Sequence, residues 1–335
     1  MSLFDKQLVV VAGKGGVGRT TVGAALAVAA AKRGKRVLLC QTKSKERLST
    51  LFGVPYVGTE LVRVPQLEEH GGRLYVVNMT PQAALREYGT QVLRSEFIAK
   101  QVLENRVTKA FLHAVPGLED YSMLGKVWWH TTEEEHGRKR WDLVIMDGPA
   151  TGHLLTLLTI PQSILEAVPE GPLTKPARAT QELLRDAKRA ALVLVTLAED
   201  MPSNEAIELA KKQVQSVGMP FGPLVVNMLY PPRFLTGPSA RVVDAFDEDL
   251  AALAAADPGA APLVPLVSAA RTAKRRRELN DRYLERLARD LPLPQVQLPY
   301  LFTPRFGPEA LEELARRLDG QVMAAPAEIP LPLIA

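Results

Sequence analysis

Between Val9 and Thr21 the chain reads VVVAGKGGVGRTT, an apolar run that breaks into glycines and then opens an alanine-rich segment. Gly13, Gly15, Gly16 and Gly18 allow a tight turn in which successive backbone N–H groups converge on phosphate oxygens. The helix predicted to start near Thr20 aims its N-terminal dipole at the same point. From Gly13 the spacing fits G-x-x-x-x-G-K-[ST], with Arg19 standing where the lysine belongs and Thr20 where a hydroxyl ligates Mg²⁺. The chemistry implied is capture of a nucleotide's phosphates by Gly13, Gly15, Gly16, Val17, Gly18, Arg19, Thr20 and Thr21.

A second motif, WDLVIMDGPATGH from Trp141 to His153, supplies the partner such a loop needs. An apolar strand would deliver Asp147 at its C-terminal end, beside the glycine loop, where a carboxylate holds Mg²⁺ through water. Gly152 suits a segment that reorganises around a γ-phosphate. Further on, the strand in FGPLVVNMLY is predicted to end at Asn227. An amide there carries both a hydrogen-bond donor and an acceptor.

Elements that position these groups follow from the pattern. Helix is predicted over Ala24–Arg33, closed by Gly34, and strands over Lys35–Thr42, Arg73–Thr80 and Ala191–Leu197. The strands are continuous apolar runs, as a parallel sheet covered on both faces requires. Helical patterning fills Pro81–His113, Leu154–Ile160 with the segment on to Arg189, and Asp244–Pro258 with its loop. It returns over Ala269–Leu291 and Gly307–Leu318. Pro292–Phe302 is predicted as a strand followed by a loop.

The form K-G-G-V-G, with Lys14 early in the loop, resembles the deviant phosphate loop of the arsenite-pump and tail-anchored-protein targeting ATPases, and more distantly of the MinD, ParA and nitrogenase iron proteins. The resemblance continues in order along the chain. D-x-P-A-T-G-H at Asp147 is similar to the family's D-x-A-P-T-G-H with proline and alanine exchanged. Glu199, Met201 and Glu205 reproduce its E-x-M-x-x-x-E, and P-Y-L-F at Pro299 is similar to its second adenine-side loop. P-G-L-x-(D/E) and then L-G-K-V-W resemble the helical region that bacterial members insert before the second motif.

This resemblance implies an α/β fold, a P-loop NTPase with a doubly wound, mostly parallel sheet and an inserted helical lobe. It places a single ATPase domain over residues 1–319, helical insertions at about 81–140 and 154–190, and a Pro/Ala-rich tail at 320–335. It implies ATP and Mg²⁺ as cofactors, with Thr20 and Asp147 on the metal side and Asn227 on adenine. It also implies a dimer, of two copies or of this chain with a paralogue, in which Lys14 reaches the partner's phosphates. Thr151, Gly152 and His153 would relay nucleotide state to the lobe, and in the targeting ATPases such a lobe presents an apolar groove to a membrane-protein client. Phe97, Phe111, Leu112, Leu124, Val127, Trp128 and Trp129 are either that groove or helical core.

Two departures fall close to the chemistry. Lys43 stands where the family's catalytic aspartate would be, and a charged lysine cannot accept a proton from attacking water. Glu46, three residues on, is the carboxylate available to replace it. Arg19 keeps the charge of the missing lysine but is bulkier and planar. A switch role for Lys43 through phosphate oxygens and a plain exposed loop over Lys43–Arg47 both remain open.

The 335 residues, 47% hydrophobic and 23% charged, describe a globular chain able to bury a large core. No apolar run reaches membrane-span length and the N-terminus shows no signal-peptide pattern, so a cytoplasmic setting is expected. The single cysteine, Cys40, is predicted to be a packed thiol and leaves no interface zinc or metalloid site of the family's cysteine type. His130 and His136 flank TTEEE without a metal-binding spacing, which predicts an exposed acidic helical turn. A net charge of +4 makes no case for nucleic acid. A ParA-like positioning role would need salt-sensitive DNA affinity that nothing in the sequence demands. Two functions stand: a client-handling ATPase switched by nucleotide, or a regulatory subunit with attenuated hydrolysis that pairs with a complete paralogue.

Overall fold

The computed structural model describes residues 2–42, 45–93, 118–167, 169–171, 174–245, 259 and 262–326. Its core is an eight-stranded sheet in the order β10-β9-β8-β1-β7-β2-β4-β3. The strands are β1 (Leu8–Gly13), β2 (Arg36–Thr42), β3 (Val62–Arg63), β4 (Arg73–Met79), β7 (Leu143–Asp147), β8 (Ala190–Leu197), β9 (Leu224–Leu229) and β10 (Gln295–Pro299). Every pairing is parallel except the short edge pair β3–β4. From β1 the chain runs outward to β2 and β4, returns to place β7 between β1 and β2, and then crosses to β8 on the other side. This reversal opens a crevice at the strand C-termini beside β1, the place where open α/β sheets bind ligands.

Alternation along the strands divides the core in two. Leu8, Val10, Leu38, Cys40, Val144 and Met146 point to one face. There they pack under α4 (Leu118–Thr132), α5 (Thr151–Ala167), α6 (Thr174–Arg185), α7 (Asp200–Ser216) and α9 (Leu263–Asp290). Val9, Val11, Leu39, Ile145 and Val193 point to the other face. That face is covered by α1 (Arg19–Lys32), α2 (Leu48–Phe52) and α10 (Pro308–Ala324). Helix α1 is buried all round from Val22 to Ala31 because α10 lies over it. Its alanines allow that close approach, and Arg33 pairs with Asp319 at 2.6 Å along the edge. Two further α-helices are described, α3 (Pro81–Leu93) and α8 (Gly237–Ala245).

Three expectations are corrected here. The closing helix continues past Leu318 to Ala324, with Val322 buried on α1's side, so residues 320–324 belong to the fold rather than to a tail. Helix α5 begins at Thr151, three residues before the predicted start. The stretch around TTEEE is no exposed helical turn. Helix α4 stops at Thr132 and a hairpin follows, β5 (Glu134–Glu135) with β6 (Arg138–Lys139). His136 and Gly137 both take positive φ, 54° and 73°, in its two-residue turn, and the facing pairs Glu134–Lys139 and Glu135–Arg138 are oppositely charged. His130 is buried instead, its Nδ1 2.9 Å from Glu133 Oε2, while Glu133 also accepts from Arg140 at 2.5 Å and from Trp141 at 3.1 Å. Burial lowers the His130 pKa against the pull of Glu133.

The apolar residues of the inserted region divide likewise. Leu124 and Val127 are fully buried core, and Trp128 packs against the same cluster. Trp129 is half-buried. Phe97, Phe111 and Leu112 lie outside the described residues. Cys40 is a packed thiol as its strand pattern implies, with burial pushing its pKa to about 12. No helix among the described residues is long and apolar enough to cross a membrane.

Candidate functional site

The C-terminal ends of β1, β7 and β2 bring the two sequence motifs together. Gly13 closes β1 against β8: a Cβ there would lie 2.3 Å from the Val195 carbonyl oxygen. Gly18 takes φ of 89° as the residue before α1, and a Cβ there would lie 2.3 Å from Asn227 Nδ2. Only glycine meets both demands at these positions. Between them Gly15 and Gly16 are exposed, while Val17 is buried and anchors the loop. Thr21 sits half-buried in the first turn of α1.

Thr20 and Asp147 are joined, Oγ1 donating to Oδ2 at 2.5 Å. Asp147 is 2% exposed, and burial pushes its pKa up to about 6 although Thr20, Arg19 and Gln41 all favour the ionised form. Its other oxygen, Oδ1, is buried with no hydrogen-bond partner among the described residues. Thr42 at the end of β2 donates to the Asp147 carbonyl at 2.7 Å, fixing the backbone from which the carboxylate projects. A hydroxyl, a buried carboxylate and a free carboxylate lone pair behind a loop of backbone N–H groups are the donor set that suits hydrated Mg²⁺ on a nucleotide.

The cations of the loop are engaged inside the chain. Arg19 Nη1 donates to the Gly148 carbonyl at 2.8 Å, which links the glycine loop to the segment after Asp147. Burial lowers the Arg19 pKa while Asp147 opposes the shift. Lys14 Nζ donates to Glu205 Oε1 on α7 at 2.5 Å. Glu205 belongs to the E-x-M-x-x-x-E spacing, so its presence was readable although its partner was not. Asn227 is 3% exposed and donates from Nδ2 to the Val17 carbonyl at 3.0 Å, tying β9 to the loop.

Thr151, Gly152 and His153 form the first turn of α5, with Gly152 and His153 exposed. Among the described residues no side-chain hydrogen bond is seen between them and Thr20, Asp147 or Arg19; they follow Gly148 along the chain. Lys43 lies outside the described residues. Glu46, the carboxylate nearest to Lys43 in the sequence, is engaged elsewhere: its two oxygens accept from Ser49 N and Ser49 Oγ, each at 2.7 Å, capping α2. Beyond Asn227, Tyr230, Tyr300 and Phe302 form an aromatic cluster, with Tyr230 and Tyr300 stacked 5.7 Å apart and Phe302 66% exposed. Among the described residues no group of His, Cys, Asp and Glu is arranged to hold a metal by itself.

Sequence reasoning passed over Gln41. It is fully buried at the end of β2, level with Asp147 on the neighbouring strand. The available signal was a polar residue breaking the apolar run VLLC.

Comparison with known proteins agrees with this arrangement. Residues 6–170 match the model of the family described as Anion-transporting ATPase. ATPase BagA of Mycobacterium tuberculosis is 26% identical over 230 residues, 68% of this chain and 67% of that protein. A putative arsenical pump-driving ATPase of Halobacterium salinarum is 30% identical over 235 residues, 65% of this chain and 35% of that protein. ATPase GET3 of Kluyveromyces lactis is 28% identical over 161 residues, 46% of this chain and 45% of that protein. A glycine loop at the end of β1, an acid at the end of β7, a mostly parallel sheet that reverses between them, and these matches agree: residues 6–170 carry the domain of the anion-transporting ATPase family, and the chain is similar to the arsenical pump-driving ATPases and ATPase GET3.

Proposed function

We propose that this chain binds ATP with Mg²⁺, hydrolyses it, and uses the bound state to control association of two subunits and the handling of a membrane-associated client protein. The observation that carries the proposal is the Thr20–Asp147 pair behind the glycine loop, with one Asp147 oxygen left for a ligand. In this reading the loop amides and Arg19 hold the phosphates, Thr20 and Asp147 hold the metal, and Asn227 reads adenine. Lys14 acts across the subunit interface, and Thr151–His153 carry the change to the helices beyond. When bound, Mg²⁺ would neutralise charge on the β- and γ-phosphates.

Steady-state ATP turnover of the purified chain, with its mass in solution recorded with and without ATP, tests this. Turnover together with ATP-dependent doubling of mass is expected. ATP binding without turnover would instead favour a regulatory subunit completed by a paralogue. Two observations support that second reading: Arg19 is turned onto Gly148, and both Glu46 oxygens are taken by Ser49.

Two further outcomes are expected. Lys43→Asp raises turnover by roughly 10-fold or more, because a carboxylate accepts from attacking water and orients it, which a charged lysine with no acceptor cannot do. An unchanged rate would mean that another group positions the water. Glu205→Ala frees Lys14 and strengthens ATP-dependent association by up to about 5-fold, since a half-exposed pair is worth at most about 1 kcal/mol. Sedimentation at graded ATP concentrations measures the effect, and weakened association would show instead that Glu205 positions Lys14 for its partner.

A further inference from the structure

Gln41 has no part in the site as described above, yet its surroundings are unusual for a buried amide. Its side chain is fully buried, and Nε2 makes one long hydrogen bond, 3.3 Å to the Lys45 carbonyl. Oε1 is buried without a partner among the described residues. The residue stands level with Asp147 on the adjacent parallel strand, and strand alternation sends both side chains to the sheet face that carries α1 and Thr20. Its amide lies near enough to Asp147 to favour the ionised form, while Asp147 Oδ1 has no hydrogen-bond partner among the described residues. Two acceptors, Gln41 Oε1 and Asp147 Oδ1, therefore lie unpartnered in one corner of the site.

An acceptor buried without a partner is destabilising. A neighbouring pair of them is balanced by a donor that arrives with a ligand. Mg²⁺ gives up its water shell reluctantly, and each metal-bound water is a strong donor. We propose that Gln41 is a positioning residue of the Mg²⁺–nucleotide site: Gln41 Oε1 and Asp147 Oδ1 together accept hydrogen bonds from water on the hydrated cation. The inference rests on the proposed nucleotide binding and adds to it a residue that no sequence motif marks.

Titration with ATP in the presence and absence of Mg²⁺ tests it on wild-type protein, Gln41→Leu and Gln41→Glu. In the wild type Mg²⁺ is expected to strengthen ATP binding. In Gln41→Leu that enhancement falls by roughly 10- to 100-fold, the usual effect of losing an outer-shell partner, while Mg²⁺-free ATP affinity stays within about 2-fold. Gln41→Glu keeps an acceptor and retains the enhancement. Full Mg²⁺ enhancement in Gln41→Leu overturns the role of Gln41 and leaves nucleotide binding intact, as does a Gln41→Glu variant that behaves like Gln41→Leu. Absence of ATP binding in the wild type would overturn both readings at once.

Discussion

Asp147→Asn is expected to abolish the Mg²⁺ dependence of ATP binding, weakening binding in Mg²⁺ by roughly 100-fold, while making the nucleotide-free protein more stable at pH 8. The two effects have one cause. A carboxylate that is 2% exposed is costly to keep ionised, and its pKa stands at about 6 against an ordinary 3.8. Between those values the folded protein holds a proton that the unfolded chain has released. Stability from the neutral carboxyl is therefore complete below about pH 4 and is lost as pH rises through about 6. Asparagine removes the charge, still accepts from Thr20, and can donate toward Gln41 Oε1. The variant should gain on the order of 1–3 kcal/mol at pH 8, shrinking to nothing near pH 4. Urea unfolding across that pH range, beside ATP titrations with and without Mg²⁺, measures both. A variant less stable than wild type at pH 8, or one whose ATP binding still responds to Mg²⁺, would contradict this account.

Gly13→Ala is expected to cost roughly 2–4 kcal/mol and to remove ATP binding with it. The added methyl would lie 2.3 Å from the Val195 carbonyl oxygen and 3.1 Å from Val17 Cγ2. The first obstacle is backbone of β8, paired with Gly13 in register, so relief requires two central strands to separate. Gly15→Ala is the control. A Cβ at Gly15 meets nothing within 4 Å, and its stability should match wild type within about 0.5 kcal/mol. Chemical denaturation of both variants distinguishes close backbone approach from a general need for glycine. Equal stabilities would remove the steric reason for Gly13.

The fold was legible because its signals are local and repeated. Continuous apolar runs marked the strands of a sheet covered on both faces, and the glycines between β1 and α1 marked the loop. The region after Trp129 was misread for a different reason. TTEEEH has the composition of a solvated helix end, but the His136–Gly137 turn and the oppositely charged facing pairs make a hairpin more favourable. Composition there did not reveal which carboxylate would be covered.

The sequence by itself determined which residues could do chemistry: the glycine loop, Thr20 and Asp147 follow from residue type and spacing, since phosphate and metal recognition need particular atoms at particular intervals. Tertiary structure decided what those residues face. Arg19 donating to Gly148, Lys14 to Glu205, Glu46 capping α2 and Gln41 beside Asp147 depend on which strands become neighbours and which sheet face a helix covers. Apart from the local Glu46 cap, those contacts join residues as far apart as Lys14 and Glu205, and no local pattern encodes them. They follow from burial of apolar surface over the whole chain, which fixes strand order first and brings the polar groups together as its consequence.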